Sequence, residues 1–174
     1  LKKVSINMVT HGQATDPFWS VVSNGAKDAA KELGIDFYYQ SPQNFDMIAM
    51  SQIIDAVVST NPDGIIVSVP DVAALKNSIL AASKKDIPII VINAGSEIME
   101  EVDILTYVGQ SEYEAGMKAA KELIKYNVTN ALCVNHEIGN ISLDKREQGF
   151  RKVLKENNIC VKTIPVDVSG QSVE

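Results

Sequence analysis

The sequence predicts an α/β fold, a doubly wound parallel sheet arranged in two lobes, and three observations support this prediction. Short β-branched runs alternate with amphipathic helical segments along the 174 residues. The runs at 64–69 and 87–93 are almost continuously apolar, which is typical of strands covered on both faces of a parallel sheet. The connections are short, and parallel strands require crossover helices, so the alternation indicates a wound sheet.

Seven strands and five helices are predicted in alternation. The strands fall at 4–10, 35–40, 64–69, 87–93, 104–108, 131–135 and 160–166. The first helix begins at Pro17 after the N-cap Asp16 and ends at Gly34, which is the usual order of helix signals. The later helices cover about 50–58, 72–85, 111–124 and 142–157, and the fourth opens with the capping box Ser111-Glu112-Tyr113-Glu114.

The joint between the fourth and fifth strands differs from the others. An acidic segment connects these strands, and no helix is predicted between them. A strand that follows without a full crossover is free to leave the first sheet, so we interpret residues 107–110 as a crossing into a second lobe. The predicted N-terminal lobe is 1–106, and residues 107–174 form the first part of a C-terminal lobe.

Composition excludes several classes of protein. The net charge is −6, from 16 Lys and Arg against 22 Asp and Glu, and no cluster of basic residues suggests a nucleic-acid groove. The longest apolar runs are far shorter than the roughly 20 residues that cross a bilayer. Cys133 and Cys160 lack metal-ligand or framework spacing, so both are predicted to be small buried hydrophobes.

The loop after the first strand is the first candidate for a site, because wound sheets bind ligands at the carboxyl ends of their strands. His11 is either a ligand contact or a simple loop residue, and Asp16 is an N-cap whose oxygens also suit ligand hydroxyls. Phe18 falls on the apolar stripe of the first helix and is predicted to be buried. Trp19 has polar helical neighbours, so we expect it near the rim, stacking on a ligand ring or covering a domain edge.

Three further candidates follow later strands. Asn93 ends the fourth strand and offers both a donor and an acceptor, although asparagine there also stabilises loops. The pair His136 and Glu137 follows the sixth strand without the spacing of metal ligands. Arg146 lies on the apolar face of the fifth helix, where its guanidinium needs either ligand oxygens or a salt bridge with Glu137 or Asp144.

No catalytic, metal or cofactor site is predicted. The chain has no phosphate-binding glycine motif, no GxSxG nucleophile elbow and no HExxH zinc motif. The sequence contains only two histidines, far apart along the chain. We therefore predict that the protein is not an enzyme and uses no cofactor.

Five segments together carry a resemblance to a known family. They are Asp16-Pro17-Phe18-Trp19, Pro62-Asp63-Gly64-Ile65-Ile66-Val67, Ile87-Pro88-Ile89-Ile90-Val91-Ile92-Asn93, Val108-Gly109-Gln110-Ser111-Glu112-Tyr113-Glu114-Ala115-Gly116 and Arg146-Glu147-Gln148-Gly149-Phe150. In this order and spacing they resemble the periplasmic sugar-binding proteins of the ribose- and galactose-binding type, a family that includes the effector-binding cores of LacI-type repressors. The resemblance covers essentially the whole chain.

This resemblance implies a type I periplasmic binding protein fold whose two lobes close on a sugar by a hinge at 107–110. Polar side chains are expected to bind the sugar hydroxyls, and aromatic side chains to stack on its ring. Asp16 and Asn93 depart from the pattern of ribose binders, which disfavours ribose itself. The implied ligand contacts are His11, Asp16, Phe18, Trp19, Asn93, His136, Glu137 and Arg146.

The resemblance also implies partners and a location. An ABC permease is the expected partner, and the periplasm or the extracellular face of the cell envelope is the expected location, although this stretch shows no signal peptide or lipid anchor. The second lobe is expected to be incomplete, and the first to lack its returning segments. Three alternatives remain: a histidine kinase sensing domain with a sensor kinase as partner, a LacI-type regulator core without its helix-turn-helix, and a flavodoxin-like enzyme.

Overall fold

The computed structural model describes residues 3–13 and 15–166. The chain divides into two compact units, Leu1–Gly109 and Gln110–Glu174, called unit 1 and unit 2 below. Residues 167–174 of the predicted C-terminal lobe lie outside the described residues. None of the helices in the described part of the chain has the length and hydropathy of a membrane-spanning segment.

Unit 1 is a wound parallel sheet. Its elements are β1 (Ser5–Val9), α1 (Pro17–Leu33), β2 (Asp36–Gln40), α2 (Met47–Ser59), β3 (Gly64–Val67), α3 (Val72–Ser83), β4 (Ile89–Ile92), a 3₁₀ helix (Ser96–Glu100) and β5 (Thr106–Val108). The strands pair in parallel in the order β2-β1-β3-β4-β5. This arrangement confirms the predicted doubly wound parallel sheet.

The position of β5 corrects one prediction. β5 pairs in parallel with β4, and Ile90 lies opposite Thr106, so the strand that we expected to be free to leave the first sheet stays in it. The 3₁₀ helix replaces a full crossover helix, and its buried Ile98 packs into the core of unit 1. Tyr107 and Val108 are therefore part of unit 1, and the division between the units falls after Gly109.

The core of unit 1 lies between the sheet and the helices α2 and α3. Right-handed crossovers place these helices on one face, because the chain moves in one direction from β2 to β3 to β4. The step from β1 to β2 runs the other way, so α1 covers the opposite face. The buried side chains of this core include Val9, Met50, Ile54, Ile65, Val67, Leu75, Ile79, Ile89 and Val91.

The face of the sheet toward α1 is covered less completely than predicted. Ile66 and Ile90 point to this face and are only half-buried, whereas their neighbours Ile65 and Ile89 are buried. Within the described residues α1 is the one helix on this side. A helix about 10 Å wide cannot cover a five-stranded sheet roughly 19 Å wide. The apolar runs predicted a sheet covered on both faces, whereas in the described residues only the face toward α2 and α3 is fully covered.

Unit 2 packs two helices against two strands. Its elements are α4 (Glu112–Ile124), β6 (Asn130–Asn135), α5 (Ile141–Glu156) and β7 (Cys160–Pro165). β6 and β7 are parallel, and the core contains Ala120, Ala131, Val153 and Leu154. Two glycines let α4 and α5 touch: a Cβ on Gly116 would lie 1.9 Å from the carbonyl oxygen of Arg146. A Cβ on Gly149 would lie 2.0 Å from the carbonyl oxygen of Tyr113.

The cysteines differ from the prediction that both are buried. Both are free, Cys133 is half-buried, and Cys160, the first residue of the strand β7, is exposed. The strands are neighbours, but Cys160 lies opposite Asn130, three positions from Cys133. Burial, with a smaller effect from the charge of Glu147, raises the pKa of the Cys133 thiol.

Candidate ligand-binding site

The strand order of unit 1 reverses between β1 and β3, and this switch point is where wound sheets bind ligands. His11 follows β1, Ser68 follows β3, and both are buried. Nδ1 of His11 lies 2.8 Å from Oγ of Ser68, and the His11 amide N–H donates to the same oxygen at 3.0 Å. His11 therefore ties the two central strands together beneath the switch point.

Phe18 and Trp19 exchange the positions predicted for them. Trp19 is 5% exposed, and its ring packs edge-on against His11 with centroids 5.0 Å apart. Phe18 is 54% exposed and meets Trp19 edge-on at 5.1 Å. The buried face of α1 includes the polar Ser23, which lies one turn from Trp19. Gly12 leaves space for the indole of Trp19, because a Cβ at this position would overlap the ring. The predictions of a buried Phe18 and a rim-placed Trp19 are therefore wrong.

Asp16 is confirmed as the N-cap of α1. Its Oδ1 accepts the amide N–H of Phe18 at 2.8 Å and that of Trp19 at 3.3 Å. The side chain is exposed, and its Oδ2 makes no hydrogen bond to the described residues. One oxygen thus stabilises the helix, and the other remains accessible at the switch point.

Asn93 directly follows β4 and has a left-handed backbone, with φ of 63°. Asparagine tolerates this conformation better than most residues, so the backbone alone favours it here. The Asn93 amide N–H donates to the carbonyl of Val108 at 3.0 Å, and the Tyr107 hydroxyl donates to the Asn93 carbonyl at 2.7 Å. Its half-buried side-chain amide has no hydrogen bond to the described residues.

His136 and Glu137 lie in the loop between β6 and α5. His136 is exposed, and its Nε2 is 4.0 Å from a carboxylate oxygen of Glu137. The other Glu137 oxygen accepts the side-chain amide of Asn140 at 2.7 Å. Asn140 is buried and caps α5 by accepting the amide N–H of Ser142 at 2.9 Å. Glu137 thus stabilises the start of α5, and residues 3–13 and 15–166 contain no metal-ligating cluster.

Arg146 pairs with a carboxylate that the sequence did not indicate. Its Nε donates to Oε2 of Glu112 at 2.5 Å, whereas the salt-bridge alternative considered from the sequence was Glu137 or Asp144. From the sequence, Glu112 was named only as part of the capping box, whose N-cap Ser111 is confirmed because its Oγ accepts the Glu114 amide N–H at 3.4 Å. The sequence signal that could have identified Glu112 as the partner is its position one turn before Gly116, on the face of α4 that packs against α5.

The sequence profile of the periplasmic binding protein domain matches residues 6–173. The chain belongs to the periplasmic binding protein domain family. It is a family of ligand-binding transport proteins of the periplasm or the cell exterior. No curated protein matches the chain.

Solved structures closely resemble this periplasmic binding protein domain. The periplasmic sugar-binding protein of an ABC sugar transporter from Legionella pneumophila is 28% identical, with a TM-score of 0.91 over 96% of this chain and 62% of that one. A carbohydrate transporter from Acidothermus cellulolyticus 11B, solved with myo-inositol, is 30% identical, with a TM-score of 0.90 over 97% of this chain and 57% of that one.

A third structure is a complex. A chain of the XylFII-LytSN complex is 26% identical, with a TM-score of 0.87 over 98% of this chain and 62% of that one. This periplasmic binding protein domain therefore spans 57–62% of the length of the three structures. Sugar binding and the context of ABC transport recur among its structural relatives.

Proposed function

We propose that this domain recognises a neutral sugar or a polyol, as part of a solute-binding protein at the outer face of the cell that delivers its ligand to an ABC permease. The observation that carries the proposal is that the exposed ring of Phe18 and the free Oδ2 of Asp16 both belong to the start of α1, at the switch point of unit 1. A sugar presents apolar C–H faces and hydroxyl edges, so an aromatic face next to a carboxylate acceptor suits it.

Other candidate ligand contacts, each within its own unit, carry groups that suit hydroxyls. The side-chain amide of Asn93 offers both a donor and an acceptor at the end of β4. In unit 2, Arg146 offers the N–H groups that its bond to Glu112 leaves unused. His136 is an exposed side chain of the β6–α5 loop. Buried Trp19 contacts both the buried His11 ring and the exposed Phe18 ring edge-on, and so supports Phe18. Binding proceeds without a catalytic step.

Calorimetric titration and thermal unfolding test the proposal. The purified protein is screened against pentoses, hexoses and polyols, with amino acids and nucleosides as unrelated ligands. A ligand at 100 times its Kd stabilises the folded state by about 2.7 kcal/mol. Binding of an amino acid or a nucleoside, with no binding of any sugar or polyol, would refute the proposal.

A matched pair of variants on α1 tests the place of the site. Phe18→Ala is expected to weaken sugar binding by about tenfold or more, which corresponds to about 1.4 kcal/mol. Val21→Ala is the control, because Val21 is also exposed, at 72%, and lies on the same helix. Equal affinities for the two variants would exclude Phe18 from the site.

A second function is favoured by the 26% identity to a chain of the XylFII-LytSN complex. A domain used for sensing would bind the extracytoplasmic domain of a sensor kinase when the sugar is bound. A transport role instead predicts that the loaded protein stimulates ATP hydrolysis by its permease in proteoliposomes. Sugar-dependent complex formation without ATPase stimulation would favour sensing over transport.

A further inference from the structure

We propose that Glu112 positions Arg146 and makes the site selective for neutral, hydroxylated ligands over anions. The inference rests on the proposed function, in which Arg146 contacts the ligand. It concerns a buried carboxylate that the proposed ligand contacts do not include. The contacts of Glu112, the exposure of Arg146 and the packing of two helices support it.

The Glu112 carboxylate is held at both of its oxygens. Oε2 accepts Nε of Arg146 at 2.5 Å, and Oε1 accepts the side-chain amide of Gln110 at 3.1 Å. The side chain of Glu112 is only 6% exposed. A buried carboxylate costs free energy unless charged and polar partners compensate it, and here both partners are present. Glu112 therefore has one fixed position.

The pair directs the guanidinium outward. Arg146 uses its Nε toward Glu112, and its Nη groups make no hydrogen bond to the described residues. The Arg146 side chain is 46% exposed, so its free edge faces solvent while the Nε edge faces the buried carboxylate. Ligand binding then requires less loss of side-chain freedom than it would with an unanchored arginine.

The packing of α4 and α5 sets this geometry. Gly116 lies against the backbone of Arg146, and Gly149 lies against the backbone of Tyr113, closer than any side chain at these positions would allow. Glu112 is one helical turn before Gly116 and so lies on the same face of α4. The close approach of the two helices thus brings the carboxylate under the arginine.

Charge balance then determines which ligands bind. Glu112 neutralises Arg146, so the exposed N–H donors are offered without a net positive charge. An anion on the free edge would also experience the fixed Glu112 carboxylate a few ångströms behind the guanidinium. Repulsion at that distance, partly screened by water, is expected to weaken anion binding by about tenfold. A neutral hydroxyl is not subject to this repulsion.

The test compares Glu112→Gln with Glu114→Gln. Both variants remove one negative charge from the first turn of α4, but Glu114 is exposed and serves as the matched control. Calorimetry measures the affinities for D-glucose with D-glucuronate, for D-galactose with D-galacturonate, and for inorganic phosphate alone. For Glu112→Gln we expect neutral binding to weaken by up to about threefold and anion binding to strengthen by about tenfold. Glu114→Gln should change neither.

The NMR signal of the Arg146 Nε–H gives a measurement that needs no ligand. In the wild-type protein this proton should exchange slowly with water, and in Glu112→Ala it should exchange at the rate of an exposed arginine. Failure of every sugar to bind the wild-type protein would refute the proposed function, while the phosphate and exchange measurements would still test Glu112. The inference is overturned if Glu112→Gln matches Glu114→Gln in anion affinity, or if the proton exchanges equally fast with and without Glu112.

Discussion

Gly116 provides a direct test of how closely α4 and α5 must approach. In Gly116→Ala the new Cβ would lie 1.9 Å from the carbonyl oxygen of Arg146 and 2.9 Å from the backbone nitrogen of Phe150. Ordinary contact begins at 3.4 Å, so the helices must separate by about 1.5 Å. The obstructing atoms are backbone, and no flexible side chain can move aside in their place.

The expected effect follows from two opposing contributions. Replacing glycine by alanine inside a helix stabilises it by about 1 kcal/mol through intrinsic propensity. Overpacking of a close contact costs about 1–3 kcal/mol, and a clash between two backbones belongs at the upper end. We therefore expect Gly116→Ala to lower the free energy of unfolding by about 2 kcal/mol.

Urea denaturation of a matched set of variants measures this effect. Gly25→Ala on α1 is the control, because a Cβ at Gly25 meets nothing within 4 Å and should stabilise the protein. Gly149→Ala should destabilise it as Gly116→Ala does. The double variant should lose less than the sum of the two, since one separation of the helices accommodates both methyl groups. Stabilisation by Gly116→Ala, or strict additivity, would refute the close-contact argument.

Three further outcomes are measurable by chemical denaturation. Burial raises the pKa of Glu147, but hydrogen bonds from Thr163 and Arg151 outweigh burial and lower this pKa overall. The hydrogen bonds to the ionised carboxylate therefore stabilise the folded protein near neutral pH, and this contribution is lost as the pH falls through the lowered pKa. Thr163→Val should therefore destabilise the protein near pH 7, and the difference from wild type should shrink in acid; a pH-independent difference contradicts this. Asp16→Ala should cost about 1 kcal/mol by removing a helix cap, and Asp16→Asn should restore most of it. Tyr107→Phe should cost about 1 kcal/mol by removing the donor to the Asn93 carbonyl, and no change would show that water replaces the hydroxyl.

Local signals predicted the elements of the fold well. Asp16 and Pro17 placed the start of α1, and Gly34, with φ of 67°, ends it as predicted. Caps and apolar periodicity depend on residues close together in the sequence, which is why most bounds fall within two or three positions. The placement of β5 was not predictable in this way, because pairing with β4 depends on the 3₁₀ helix that connects them and on Ile98 filling the core.

The site was predicted less well, and the errors have a common physical origin. The helical wheel assigned Trp19 to the polar side of α1 because Ser23 lies one turn away, but Ser23 is itself buried. The partner of Arg146 was sought nearby in sequence, whereas Glu112 lies 34 positions earlier. Both errors arise from tertiary contacts: Trp19 packs against Gly12, and α4 packs against α5. The residue pattern of one helix does not predict such contacts.

The hydrogen bonds within the two units also rank the candidate ligand contacts. Both oxygens of Glu112 are occupied, and one oxygen of Glu137 is held by Asn140, so a ligand could use these carboxylates only by breaking bonds that stabilise the fold. In Asp16 one carboxylate oxygen caps the helix, and the other is left accessible for a ligand. In Arg146 the Nε–H binds Glu112, and the other N–H groups of the guanidinium are left for a ligand. Side chains that use one polar group for the fold and keep another accessible are the better ligand contacts. They bind a ligand without weakening the helices that position them.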